Sequence, residues 1–257
     1  MVVLAAALVL LSGTGCDKLK ARDHLNKGVQ AYKNSKFEQA IDHFQQAVAL
    51  DPTLINARLY LATAFAQQYI PGADTPDNNR FAEQAIDSYK QVLQVDPKNI
   101  NSIKGIAYLY LQMKKFPLAK EFYKKASEAD PNDPEPYYSV AVIDWTQTYV
   151  PRQEERAKLG MKPDESLPAK DKKVCATMRE NNTPNVQEGI DNLNKALQLR
   201  PDYDDAMAYM NLLYREKADY ECGDPVARQA DLRLADLWVD RTMAVKKAKT
   251  EAAASAH

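Results

Sequence analysis

Residues 37–52 read FEQAIDHFQQAVALDP. The phrase returns with small changes as FAEQAIDSYKQVLQVDP at 81–97, FPLAKEFYKKASEADP at 116–131 and VQEGIDNLNKALQLRP at 186–201. Each copy carries a small residue, a large one and a small or apolar one at i, i+4 and i+7: Ala40, Phe44, Ala47; Ala85, Tyr89, Val92; Ala119, Tyr123, Ala126; Gly189, Leu193, Ala196. That spacing puts all three on one face of an α-helix. The leading Ala or Gly lets another backbone approach closely, and the large residue fills the space beside that contact. Each copy ends at a proline, Pro52, Pro97, Pro131 or Pro201. A proline cannot continue the helical ladder and disfavours helix at the residue before it.

A second helical pattern precedes each phrase: HLNKGVQAY (24–32), RLYLATAFAQQY (58–69), IKGIAYLYLQM (103–113) and YYSVAVIDW (137–145). The unit is therefore helix, turn, helix, proline. The four prolines lie 45, 34 and 70 residues apart, so the middle interval is the bare period and the others carry insertions. A helix–turn–helix period of 34 resembles the tetratricopeptide repeat. The resemblance covers roughly residues 21 to 219. It implies an all-α fold, a right-handed superhelix of helical hairpins with a concave inner wall, closed by a C-terminal capping helix. The expected units are about 21–54, 55–99, 100–133 and 134–203, with the first helix of a fifth at 204–219. The family's first-helix glycine stands at Gly28, with Ala62, Ala107 and Ala141 at the matching places.

Both insertions fall at the turn between the two helices of a unit. IPGADTPDNNR (70–80) reads as a loop. The longer one, about 150–185, is charged and proline-punctuated, with one short helix expected near 153–159. It is either a binding elaboration or a solvated one. After ECGDP, Asp224 is the expected N-cap and Pro225 the first residue of a last helix, 224–250. That helix is expected to bury Ala230, Leu234 and Leu237, to pack Trp238 on the preceding unit, and to turn Arg233, Asp236, Asp240 and Lys247 outward as a polar cap. Residues 251–257 read as a disordered tail.

The N-terminus belongs to another class. VVLAAALVLL (2–11) is apolar but too short to span a bilayer as a helix, and SGTGC follows it. The stretch resembles the signal sequence of a bacterial lipoprotein. The resemblance implies a signal peptide at 1–15, lipidation of Cys16 and a short lipidated linker at 16–20. A buried N-terminal helix with a chance cysteine is the other reading. Export to an oxidising compartment would leave Cys175 and Cys222 as a disulfide pair, closing roughly 45 residues for about 3–4 kcal/mol. Two independent thiols are the alternative.

In tetratricopeptide proteins the first helix of each pair lines the inner wall. By repeat position that gives Leu25, Val29, Tyr32 and Lys33; Asn56, Leu59 and Thr63; Asn101, Lys104, Tyr108 and Gln112; Glu135, Tyr138 and Trp145; and Asp205, Leu212 and Arg215. Tyr, Trp and Arg dominate binding energy at interfaces. The family subset that grips a C-terminal carboxylate uses Lys, Arg and Asn at set positions. Here Asn26 alone fits, with Val29 and Thr63 where Asn is expected, so that grip is not expected.

The chain has 257 residues, 45% hydrophobic and 27% charged, with a net charge of −1. A nucleic-acid partner, which needs a basic surface, is not expected. His24, His43 and His257 make no metal-ligand spacing, and no nucleophile or phosphate-loop motif is present. The sequence thus points to a non-catalytic scaffold without cofactor or metal. It would be lipid-anchored in the bacterial cell envelope, facing the periplasm, on the inner or the outer membrane, and would bind a protein or peptide in its groove. The alternatives are an assembly factor working through the 150–185 insertion or by self-association, and a carbohydrate-binding or enzymatic insertion.

Overall fold

The computed structural model describes residues 2–162 and 165–255; nothing is assigned to Met1, Pro163, Asp164, Ala256 and His257 or to the side chains of 2–14, 168 and 169. Among the described residues there is no strand. By its contacts the chain divides into two units, Met1–Ala129 and Asp130–His257.

The first unit holds α1 (Val2–Lys33), α2 (Phe37–Leu50), α3 (Ile55–Gln68), α4 (Pro76–Val95), α5 (Ile100–Gln112) and α6 (Phe116–Ala129). They form three hairpins, α1/α2, α3/α4 and α5/α6, and each hairpin packs on the next. The triplet residues of α2, α4 and α6 make the core. Ala40, Phe44, Ala47, Ala85, Val92, Ala119 and Ala126 are fully buried, and Tyr89 and Tyr123 nearly so. Burial of a Phe-sized side chain contributes about 2–3 kcal/mol.

The glycines of the first helices show how closely the helices meet. A Cβ on Gly28 would lie 2.5 Å from the Phe44 ring, and one on Gly105 would lie 2.6 Å from Tyr89 of the preceding hairpin. Hairpins one and three turn through a left-handed residue at the same repeat position, Ser35 (φ 58°) and Lys114 (φ 56°). Lys36 N and Lys115 N then donate back to Ala31 O and Tyr110 O at 2.9 and 2.8 Å, closing the helix ends. Before their prolines, Asp51 and Asp96 take φ of −139° and −126°, and each still donates its N–H to the last turn. The proline that follows has no N–H to continue the ladder.

The first insertion is shorter as a loop than its composition implies, because only 69–75 is irregular. Thr75 caps α4, accepting from Asn78 N, and Pro76 takes the first helical position, so 76–80 is helix. Buried Asn78 accepts from Ile70 N at 2.7 Å and donates to Ile70 O and Ala73 O at 2.8 and 2.6 Å, which fastens the loop to the helix start.

The second unit holds α7 (Pro134–Lys158), α8 (Leu167–Lys170), α9 (Lys172–Leu199), α10 (Asp204–Asp219) and α11 (Pro225–Ser255). Here the expectation for 150–185 is corrected. The two ends of the segment lengthen both helices of one hairpin, to 25 residues in α7 and 28 in α9 against 14 in α2 and α3, with the short α8 between them; the helix expected near 153–159 falls within the end of α7. Pro151 and Pro184 lie inside helices, each removing one ladder bond. Packing holds the helices through them. The buried stripe of α9 runs unbroken as Cys175, Met178, Asn182, Val186, Gly189, Leu193 and Ala196. The stripe of α7 continues with polar residues, Asp144, Thr148 and Arg156, and that hid its period in the sequence.

The last helix is corrected by one residue of register. Asp231, Ala235 and Thr242 are buried, while Leu234 and Leu237 stay 38% and 42% exposed. The acid sits inside because Lys217 Nζ reaches its Oδ1 at 2.9 Å. Trp238 is partly buried against the unit's core, and Arg233, Asp236, Asp240 and Lys247 are exposed. Asp224 caps the helix through Val226 N and Ala227 N. The helix runs to Ser255, past the expected end near 250, through the helix-favouring EAAAS stretch; the rest of the expected tail, 256–257, lies outside the described residues.

At the other end α1 runs from Val2 to Lys33, so 16–20 is helical and Cys16 is an exposed free cysteine on it. No helix among the described residues is long and apolar enough to cross a membrane.

Candidate partner-binding site

In the second unit two first helices, α7 and α10, lie side by side. At 3.6 residues per turn, Glu135, Tyr138, Val142, Trp145, Tyr149 and Arg152 share one face of α7, and Asp205, Tyr209, Leu212 and Glu216 share one face of α10. The faces meet through rings. Tyr138 lies 5.0 Å from Tyr203 and 5.6 Å from Tyr209, Trp145 lies 5.5 Å from Tyr209, and Tyr149 stacks on Trp145 at 4.7 Å. Tyr209 stands at 84° to both Tyr138 and Trp145, an edge-to-face geometry that favours aromatic pairs. Tyr138, Trp145, Tyr209 and Leu212 are only half-buried, so part of each stays in contact with solvent after packing.

The wall has electrically distinct ends. At one end stand exposed Glu135 and Asp205. Burial raises the Tyr138 and Tyr209 phenols, and the nearby Asp205 carboxylate raises both further. Tyr203 is pushed up to about 12 by burial, against the pull of Arg200 over its ring.

The other end is a buried ionic cluster that the sequence did not reveal. Arg152 binds Glu216 at 3.0 Å and Asp219 at 2.7 Å, and Arg156 reaches Asp219 at 3.3 Å. Two guanidiniums thus meet two carboxylates. Arg156 also donates to the carbonyls of Lys162 and Glu165, tying down the turn that follows α7. Tyr220 OH donates to Glu216 Oε2 at 2.9 Å, and Asn182 donates to the Tyr220 oxygen at 3.0 Å. Burial lifts Glu216 to about 7, with Arg152 holding it down from a still higher value. Burial opposes the Arg152 cation, but Glu216 and Asp219 outweigh it and hold the guanidinium above its ordinary value. Beside this cluster Cys175 and Cys222 form a disulfide, Cα–Cα 5.9 Å, that ties α9 to the turn before α11.

Of the expected wall residues in this unit, Glu135, Tyr138, Trp145 and Asp205 gather around Tyr203 and Tyr209, and Leu212 lies on the same face of α10 as Tyr209. Arg215 does not: it bonds Asn211 and reaches Asp236 of α11 at 2.8 Å. Tyr149, Tyr209 and Arg152 belong to the wall and escaped the sequence reading. Their signal was a spacing of three or four from Tyr138, Trp145 and Asp205, continued past the expected helix end.

In the first unit the expected residues lie on α1, α3 and α5, whose neighbours also touch. Leu25, Val29, Tyr32, Leu59, Thr63, Lys104 and Gln112 are half-buried, and Lys33, Asn56, Asn101 and Tyr108 are exposed. Tyr32 bonds Gln67 across to α3 and meets Phe37 edge-on at 5.4 Å, which locks its ring. Thr63 donates to Leu59 O and lies 3.2 Å from the Tyr89 hydroxyl. Gln112 lines an open hollow of about 370 Å³ beside the 69–75 loop.

His24 and His43 approach each other, Nδ1 to Nδ1 3.4 Å, but among the described residues no group of three or more His, Cys, Asp and Glu could hold a metal.

Residues 21–54 and 82–143 each match a sequence profile described as tetratricopeptide repeat. No curated protein matches the chain. Among solved structures, a crystal structure of MamA protein superposes with TM-score 0.62 at 11% identity, covering 90% of this chain and 94% of that one. A second MamA crystal structure gives 0.59 at 12%, covering 87% and 96%. MamA residues 41 to the end from Desulfovibrio magneticus RS-1 gives 0.57 at 14%, covering 89% and 96%. At such identities the likeness speaks for the fold alone. Repeat phase, buried triplets, profile matches and superposition agree: the chain is an all-α tetratricopeptide-repeat protein.

Proposed function

We propose that this protein is a non-catalytic scaffold that binds a protein or peptide partner along the first helices of its repeats. The observation that carries the reading is the α7/α10 wall. Its large rings are packed against one another yet stay partly exposed, and its ends carry charge. Preorganised aromatic surface binds at low entropic cost. The apolar run before Cys16 and the exposure of that cysteine favour anchoring by a lipid at Cys16 in the bacterial envelope, with the repeats facing the periplasm. A disulfide at Cys175–Cys222 suits an oxidising compartment.

The second reading, an assembly factor working through the lengthened α7/α9 hairpin, is favoured by a cleft of about 400 Å³ lined by Glu155, Lys173, Val174, Thr177, Met178 and Asn181. Deleting that hairpin would not test it, because Arg156, Leu167, Cys175 and Met178 are part of the unit's core. Site-specific photocrosslinkers at Leu212 and at Thr177, used in the native envelope, separate the two. Capture from position 212 that disappears with Trp145→Ala supports the wall. Capture from position 177 alone refutes it in favour of the hairpin. Lipid labelling abolished by Cys16→Ser tests the anchor.

A further inference from the structure

We propose that the α7/α10 wall takes an extended basic segment of its partner, whose arginine side chains lie on Tyr138, Tyr209 and Trp145. This rests on the wall being the partner surface and names what that surface accepts. Three observations carry it. First, the same series of rings already binds guanidiniums at both ends, with Arg200 over Tyr203 at 4.5 Å and Arg152 over Tyr149 at 5.6 Å. Among the described residues no cation of the chain itself lies over the three central rings. Second, the exposed acid Asp205 stands one helical turn from Tyr209, and its charge acts on the Tyr138 and Tyr209 rings alike. A ring face and a carboxylate attract the same cation, and a delocalised guanidinium stacks where an ammonium is more strongly held by water. Third, charge decides among extended ligands. A proline-rich or sugar ligand gains nothing from the Asp205 carboxylate, and an acidic peptide is repelled by it. Tyr138 and Trp145 are seven residues apart on α7, a rise of about 10.5 Å. A polyproline-type chain brings every third side chain to one side about 9.3 Å further on. Two arginines three residues apart therefore match the two rings.

The test uses the full chain carrying Trp238→Phe, so that Trp145 is the sole tryptophan. Its fluorescence is titrated with a short Gly/Ser peptide bearing two arginines three residues apart, and with peptides carrying two prolines or two glutamates there. The expected result is saturable quenching by the arginine peptide alone. Asp205→Asn and Tyr209→Leu should each weaken it about three- to tenfold, and Glu154→Gln, an exposed acid elsewhere on α7, should leave it unchanged. Asp205→Asn alters an exposed side chain only, so its effect is read without loss of fold. Quenching that is absent, or equal in Asp205→Asn and Glu154→Gln, overturns the proposal. So does equal binding of the proline peptide, which leaves the wall as the partner surface for a neutral ligand. Native capture that survives Trp145→Ala overturns the wall itself.

Discussion

Glu216 offers a sharp test of how the second unit is held together. Its side chain is fully buried between Arg152 and Tyr220, and burial lifts it from the ordinary 4.5 to about 7. A carboxyl raised on folding binds its proton more tightly folded than unfolded. Its contribution to stability is therefore complete below about 4.5 and is lost as pH rises through about 7. At about 1.4 kcal/mol per tenfold, the gap corresponds to about 3 kcal/mol. Glu216→Gln keeps the shape and the bond to Tyr220 but removes the titration. Both tryptophans, Trp145 and Trp238, lie in the second unit, so urea unfolding followed by tryptophan fluorescence reports that unit alone. The stability of the wild-type chain relative to Glu216→Gln should fall by about 2.5 kcal/mol between pH 5 and 8. The lowered carboxylates Asp23, Asp51 and Asp204 titrate below that window and cancel in the difference. A difference that is flat, or that rises with pH, would refute the argument that burial outweighs Arg152 at this site.

Gly105→Ala should destabilise the first unit by about 1–2 kcal/mol, since the new methyl meets the buried Tyr89 ring and overpacking outweighs the better helix propensity; thermal melting by circular dichroism checks it, and a stabilised variant would mean the ring can yield. Cys175→Ala with Cys222→Ala should lower the tryptophan-reported stability by about 4 kcal/mol, the loop-entropy value for a separation of 47 residues.

The repeat phrases were legible because their chemistry is local. A small residue, a large one and a small one at helical spacing, ended by proline, describe a helix whatever surrounds it, and Ala40, Phe44 and Ala47 are all fully buried. The lengthened hairpin was not legible, because its inner face is written in polar residues. Arg152 and Arg156 look like solvent-facing positions until Glu216 and Asp219 arrive from a helix some 60 residues away. The same holds for Asp231, which takes the inward place expected of Ala230 only because Lys217 neutralises it. Gly105 lies within the helical stretch 103–113 with nothing local to mark it, and its role appears only with Tyr89 against it.

The sequence alone therefore determined that the chain is built of paired helices, where most of them begin and end, and which small residues face inward. Those features depend on periodicity, caps and proline, all of which act within a few residues. Tertiary structure decided the register of the last helix, the course of 150–185 and the joining of Tyr138, Trp145 and Tyr209 into one wall. Whether a charge can be buried, or a ring can stay partly exposed, depends on partners brought up by distant parts of the chain.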